Sequence, residues 1–147
     1  MEVCSLVDAD GALEILPKGC RIVSLDEARE NLPKATAWLA ELQAMSDVAH
    51  DLTEELEVLL ESLEAEDEHV VEVADQLAEL VKHWQTVTSN IEATGTRIAS
   101  LEPGRLEWYG VVDQNLALYS WRFGEEDIEW YHPIDASFFA RKPLIEA

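Results

Sequence analysis

Residues 121–143, WRFGEEDIEWYHPIDASFFARKP, decide the fold of the C-terminal part of this chain. Large apolar and polar side chains alternate up to Phe123, residues 124–127 carry turn-forming types, and a second short alternating segment covers residues 128–132. Such a pattern predicts a β-hairpin. The remaining residues form a short aromatic tail after the second strand.

A four-residue loop at residues 124–127 sets the cross-strand partners. The expected pairs are Phe123 with Ile128, Arg122 with Glu129, Trp121 with Trp130, and Tyr119 with His132. This register makes an opposite-charge pair and an aromatic pair at once, both favourable across antiparallel strands. It predicts one face that packs on helices and carries Tyr119, Trp121, Phe123, Ile128, Trp130 and His132.

Upstream of the hairpin, the apolar period of two continues back to Leu106, with turn residues at 113–115. Residues 106–132 therefore predict a three-stranded antiparallel meander. At the other end of the chain, residues 8–11 and 17–19 hold turn chemistry, so residues 1–23 predict a small strand–turn–strand extension.

Between these parts the period changes to that of a helix. Ser24 and Glu27 have the spacing of a capping box, and Pro33 suggests a break after a short first helix. Two amphipathic stripes follow, and Gly95 is a stop signal. The charged segment at residues 64–68 between the stripes is either the turn between two antiparallel helices or the start of the second one. The stripes are Trp38, Leu39, Leu42, Met45, Val48, Leu52, Leu56, Leu59, Leu60 and Leu63, then Val70, Val73, Ala74, Leu77, Leu80, Val81, Trp84, Val87 and Ile91.

The expected fold class is therefore α+β, with a long antiparallel helical hairpin packed on a small antiparallel β-meander. Residues 1–147 make one domain, with the extension at 1–23, the helical part at 24–94, and the sheet and C-terminal tail at 96–147. Both stripes are wider than a two-helix seam needs. The surplus must face the sheet or a second subunit, so a homodimer is expected, with another protein as a possible partner.

Charge limits the functions open to this protein. The net charge is −21, and residues 35–81 contain fourteen acids without a lysine or arginine. Such a charge disfavours direct binding to nucleic acid or anionic membranes. The sequence shows no leader and no apolar run of membrane-spanning length, and its two cysteines, Cys4 and Cys20, suggest a reducing compartment. A cytoplasmic protein is expected.

The turn around His132 is the place where the sequence suggests chemistry. His132, Asp135 and Glu125 are of the types that hold a divalent metal ion, and Asp127 is a further candidate carboxylate. The alternative is structural: His132 forms a hydrogen bond with Tyr119 or Asp135 and fixes the strand end. A single histidine among scattered carboxylates favours this alternative.

Two arginines of the same region could bind an anion or a partner's carboxylate, namely Arg122 and Arg141. An internal or intersubunit salt bridge is the competing explanation, and the excess of acids favours it. No serine or cysteine lies in a recognisable nucleophile motif, and the sequence contains no glycine-rich phosphate loop. The catalytic residues are therefore unknown, and a non-enzymatic protein is favoured.

Seven short segments form a distinctive series along the chain: Ser24-Leu25-Asp26-Glu27-Ala28, Leu32-Pro33, Gly104-Arg105-Leu106-Glu107-Trp108, Trp121-Arg122-Phe123-Gly124-Glu125, Trp130-Tyr131-His132, Asp135-Ala136-Ser137-Phe138 and Arg141-Lys142-Pro143-Leu144. Together they resemble the DUF2203 family of small prokaryotic proteins. The likeness covers about residues 22–144. The family has tryptophan directly before histidine, whereas here either Tyr131 intervenes between Trp130 and His132 or tyrosine replaces that tryptophan. Ser137 stands where the family has glycine. The resemblance implies no known reaction.

Three functional hypotheses follow. The first is a non-enzymatic interaction or scaffold module that acts as a homo-oligomer. The second is a protein that binds a metal or small ligand, with hydrolysis as one use, at a site near His132, Asp135, Glu125 and Arg141. The third takes the acidic middle of the chain as a mimic of nucleic acid that inhibits a basic protein.

Overall fold

The computed structural model describes residues 21–144 and has an α+β fold in which two helices precede a five-stranded antiparallel sheet. The predicted strand–turn–strand extension lies outside the described residues except for its last three. Of these, Ile22 bridges Tyr109 and Val23 donates a backbone hydrogen bond to the Tyr109 carbonyl. The elements are α1 Leu25–Leu60, α2 Glu68–Ala93, β1 Thr96–Ser100, β2 Arg105–Val112, β3 Asn115–Arg122, β4 Trp130–Pro133, a 3-10 turn Phe138–Ala140 and β5 Lys142–Pro143.

Helix α1 begins where the capping box places it. The Ser24 hydroxyl accepts from the Glu27 amide, and the Glu27 carboxylate accepts from the Ser24 amide, each at 3.0 Å. The predicted break at Pro33 is wrong, because α1 runs through it without interruption. An interior proline costs a helix about 3 kcal/mol. Buried Leu32 and Ala35, on either side of Pro33, pack in the core and offset that cost.

The connection and the stop signal are confirmed. Asp67 caps α2 by accepting from the His69 amide, and α2 ends before Gly95, whose φ of +87° suits a residue without a side chain. No helix among the residues that the structure describes is long and apolar enough to cross a membrane.

The sheet has the strand order β1-β2-β3-β4-β5, so it contains two strands more than the sequence predicts. Strand β1 lies directly after α2 and pairs Arg97 with Glu107, while β5 adds two residues of the tail to β4. Strands β2 and β3 are joined at Asp113 and Gln114, both with positive φ, as a tight antiparallel hairpin requires.

The predicted register of β3 and β4 is wrong by one residue. Ser120 pairs with Trp130 and Leu118 with His132. None of the four predicted pairs therefore forms: Phe123–Ile128, Arg122–Glu129, Trp121–Trp130 and Tyr119–His132. The loop is longer than four residues because Glu125 binds the end of β3: its carbonyl accepts from the Trp121 indole and its carboxylate from the Arg122 amide. A shift of one residue moves a side chain to the other face of a sheet.

The core lies between α1 and one face of the sheet. Leu106, Trp108, Tyr119 and Trp121 alternate along β2 and β3 and pack with buried residues of α1. The indole of Trp108, fully buried, donates to the Thr96 hydroxyl at 2.7 Å. Three residues expected on this face are elsewhere: Phe123 is 73% exposed, and both Trp130 and His132 lie on the opposite face, Trp130 half-buried and His132 buried. We call that opposite face the far face.

Gly110 has a specific role beneath the Tyr119 ring. A Cβ at Gly110 would overlap this ring, so a glycine is needed for Tyr119 to lie flat across β2. The ring is buried with its hydroxyl near the backbone of Val111. Burial raises the pKa of Tyr119 above its ordinary value of 10.0, an effect that the hydrogen bond with Val111 opposes in part.

A pH dependence follows from the raised pKa of Tyr119. Because the unfolded tyrosine ionises at a lower pH than the folded one, its contribution to stability is complete below pH 10.0 and is lost as the pH rises further. We expect Tyr119→Phe to reduce the loss of unfolding free energy between about pH 8 and pH 11. Urea unfolding across this range measures it, with the neutral-pH difference as the reference. An identical alkaline loss in both proteins would contradict the assignment.

Candidate functional site

Three buried polar side chains lie on the far face, and the strand register brings them together. Glu107 of β2 is directly opposite Ser120 of β3, and His132 of β4 is opposite Leu118, two residues before Ser120. All three are buried. In a sheet with one solvated face these positions would be exposed, but here Phe138 and Arg141 of the C-terminal tail pack on Arg105 and Trp130 of the same face.

His132 bonds through both ring nitrogens. Its Nε2 lies 3.1 Å from Oε2 of Glu107, and its Nδ1 lies 2.9 Å from the carbonyl oxygen of Pro133. A carbonyl oxygen accepts and never donates, so Nδ1 carries a proton. Arg97 donates to the other Glu107 oxygen at 3.1 Å, which favours a carboxylate there. Both ring nitrogens of His132 and both carboxyl oxygens of Glu107 therefore have a partner inside the protein.

This cluster does not form a nucleophilic relay. Nucleophilic serine needs a hydrogen bond to the base that takes its proton. The Ser120 hydroxyl is buried and has no hydrogen-bond partner among residues 21–144, while both nitrogens of His132 are engaged elsewhere. The geometry therefore fits an ordering of the sheet by buried charge rather than covalent catalysis.

The tail closes over the far face through a stack of cations and rings. The Arg141 guanidinium lies 4.3 Å from the ring centroid of Phe138 and 5.1 Å from that of Trp130. Arg105 contacts Phe138 at 4.4 Å. Arg141 also donates a hydrogen bond to each carboxylate oxygen of Glu125, at 3.2 and 2.8 Å. This fork joins the tail to the β3–β4 loop with each side chain largely buried.

The residues that the sequence nominated are thus given separate partners. His132 binds Glu107 instead of Tyr119 or Asp135, Glu125 binds Arg141, and Asp135 is exposed. Within the part of the chain that the structure describes, no group of three potential ligands is arranged to hold a metal ion. Asp127 instead lies near Arg29, at 3.7 Å. Arg141 forms the internal salt bridge that the sequence favours, and Arg122 is exposed at the end of β3.

Sequence reasoning missed Glu107, Ser120 and Arg97. Glu107 and Ser120 alternate with apolar neighbours, which is the usual pattern of a solvated face, so nothing local marks them as buried. Arg97 is exposed and lies in β1, a strand that the sequence does not predict. One signal was present: charges of opposite sign occur in three segments, at Arg97, Glu107 and His132. Those charges meet only if the sheet has β1 and the observed β3–β4 register.

A second candidate surface is the distal arm, which we define as residues 46–86. In the described chain, α1 has no fully buried residue after Met45, because the sheet ends there and α2 alone continues beside it. The α1 part of the arm extends about 20 Å. Its apolar residues include buried Val70 and Val73 of α2 and a larger half-buried set, and further apolar side chains are exposed. The half-buried set is Leu52, Leu56, Leu59, Leu63, Leu77, Leu80 and Trp84, and the exposed set is Val48, Val58, Leu60, Val71 and Val81.

The arm is also the most acidic part of the molecule. It carries thirteen acids and one lysine, Lys82. Two acidic side chains of α1 contact histidines of α2 across the helical hairpin: Glu41 lies 2.8 Å from His83, and Glu55 lies 3.9 Å from His69. His50 lies 3.1 Å from Glu54 on the same helix. Most of the acids remain exposed to solvent.

Comparison with known proteins agrees with the resemblance in the sequence. No curated protein and no solved structure matches this chain. A family model described as "Uncharacterized conserved protein (DUF2203)" matches residues 21–144, the same span that the structure describes. The chain therefore belongs to the DUF2203 family.

Proposed function

We propose that this protein is a non-enzymatic interaction module that uses the distal arm to bind a basic amphipathic helix of another protein. The observation that carries this proposal is the open apolar seam of the arm. Leu52 and Leu56 of α1 and Leu80 of α2 are each only half-buried. Apolar surface left open beside a helical seam is what a third helix covers.

Charge identifies the kind of partner. A helix that enters the seam brings its flanks against thirteen acids, so lysine and arginine on those flanks gain favourable interactions. A second copy of the chain is the assembly that the sequence predicts from the same surplus stripe. Two arms in contact would bring like charges together with Lys82 as the one lysine on each. The charge therefore favours a basic partner over a second copy.

Titration with a synthetic peptide tests the proposal. The probe is a fluorescent peptide of leucine and lysine, about 18 residues or five helical turns long, with its leucines on one face. We expect it to bind the full chain, and binding to weaken as sodium chloride is raised. A scrambled peptide of identical composition has the same charge without an apolar face. Equal affinity for the two peptides would show charge attraction alone and would overturn the proposal.

Two matched variants locate the binding. Val81 on the arm and Val111 on β2 are similarly exposed, at 49% and 45%. We expect Val81→Gln to weaken peptide binding about five-fold, because roughly half of a valine side chain is newly buried in the complex, and Val111→Gln to leave it unchanged. Analytical ultracentrifugation tests whether a second copy of the chain occupies the seam instead. A dimer that Val81→Gln dissociates would show that the seam binds a second copy rather than a basic partner.

A further inference from the structure

A groove lies on another part of the molecule, between α1 and the turn after β3. Its volume is about 390 Å³, within the range of pockets that hold small molecules. Leu32, Pro33 and Leu39 of α1 form one wall, and Trp121 with Phe123 forms the other. The groove is distinct from the distal arm and from the buried cluster of the far face.

The aromatic wall is unusual because its outer ring is left in solvent. Phe123 is 73% exposed and meets buried Trp121 edge to face, with ring centroids 6.5 Å apart. The face of an aromatic ring attracts cations, and its body attracts apolar groups. A ligand that enters the groove would cover the exposed ring of Phe123.

Among the polar groups that line the groove, one negative charge has no ion-pair partner among the described residues. Gln43 donates to the Leu101 carbonyl at 2.8 Å, and the Thr36 hydroxyl donates to the Pro33 carbonyl at 2.9 Å. Glu125 is occupied by Arg141. Glu126 also lines the groove, is exposed, and has no ion-pair partner among the described residues. The free charge at the mouth is therefore a carboxylate.

We propose that this groove binds a small organic cation with an apolar body. The body packs between α1 and the ring of Phe123, and the cationic group lies at the mouth beside Glu126. A neutral analogue keeps the apolar contacts and loses the charge interaction. An anionic analogue meets Glu126 with like charge. The three charge states should therefore bind in the order cation, neutral compound, anion.

Three compounds that share a phenylethyl body test this order: 2-phenylethylammonium, 2-phenylethanol and 3-phenylpropanoate. Each is titrated into the 15N-labelled full chain while the indole N–H signal of Trp121 is followed by NMR. This proton bonds the Glu125 carbonyl at 2.9 Å, next to the groove. We expect a saturable shift with the cation at the lowest concentration. A reversed order, or a Trp121 signal that none of the three moves, would overturn the proposal.

Variants separate the groove from charge elsewhere. Glu126→Gln should weaken the ammonium compound about two- to five-fold, the range of one exposed ion pair, and leave 2-phenylethanol unchanged. Glu129→Gln removes an exposed acid of the same loop that does not line the groove, and should change neither. Ala40→Phe fills the groove from the exposed surface of α1 and should abolish both shifts. Unchanged binding in Ala40→Phe would place the ligand elsewhere and refute the site.

Discussion

Replacement of Glu107 by alanine is expected to lower the free energy of unfolding by about 3–5 kcal/mol, the usual cost of removing one member of a buried charged pair. Glu107 accepts from Arg97 on one oxygen and meets His132 on the other, each at 3.1 Å. His132 is 3% exposed and cannot turn to water. Its Nε2 would lose its partner inside the protein, and urea unfolding at neutral pH measures the effect.

Two further variants distinguish lost charge from lost volume. Glu107→Gln keeps the shape, and its amide can donate to an unprotonated Nε2 of His132, so the expected loss is about 1 kcal/mol. The double replacement Glu107→Leu with His132→Leu removes both charges and should stay within about 1–2 kcal/mol of the wild type. If the double variant were as unstable as Glu107→Ala, packing rather than charge would explain the loss.

Replacement of Trp108 by alanine should be as damaging, at about 3–5 kcal/mol, because it opens a cavity in the centre of the core. Trp108 is fully buried between α1 and the sheet, and its indole donates to Thr96 of β1. For a chain of this size the melting temperature should fall by about 6–20 °C. Thermal unfolding followed by circular dichroism measures it.

Controls for Trp108 divide the contact into its parts. Trp108→Phe keeps an aromatic ring and loses the hydrogen bond to Thr96, for an expected cost of about 1–2 kcal/mol. Trp84→Ala removes a half-buried indole on α2 and should cost less than Trp108→Ala. If Trp84→Ala lowered the free energy of unfolding as much as Trp108→Ala does, the prediction that Trp108 lies at the centre of the core would be contradicted.

The helices could be predicted because local patterns specify them. Apolar spacing of three and four residues set their extents, and the Ser24–Glu27 box set the start of α1. Pro33 was misjudged, because the sequence shows the lost backbone donor but not the core contacts beside it. Strands β1 and β5 were missed for a related reason: each is short and becomes a strand through its partner in the sheet.

The candidate site could be located only in part. The sequence singled out His132 and Arg141, and both are indeed engaged in polar contacts. The partners of these side chains depend on the register of β3 and β4, and the register predicted from the sequence was wrong by one residue. The opposite-charge and aromatic pairs favoured a short loop, whereas the bonds of Glu125 to Trp121 and Arg122 hold a longer one. A single residue thus decided which face of the sheet His132 occupies.

The concentration of acids on the arm makes the molecule a large electric dipole. Thirteen acids against one lysine lie at one end, whereas residues 94–144 carry eight acids against five cations. A positively charged body approaching through solution would turn the protein so that the arm leads. The orientation would be set before contact, over roughly the 8 Å that physiological salt leaves unscreened. A positively charged partner would then reach the arm without first searching the rest of the protein surface.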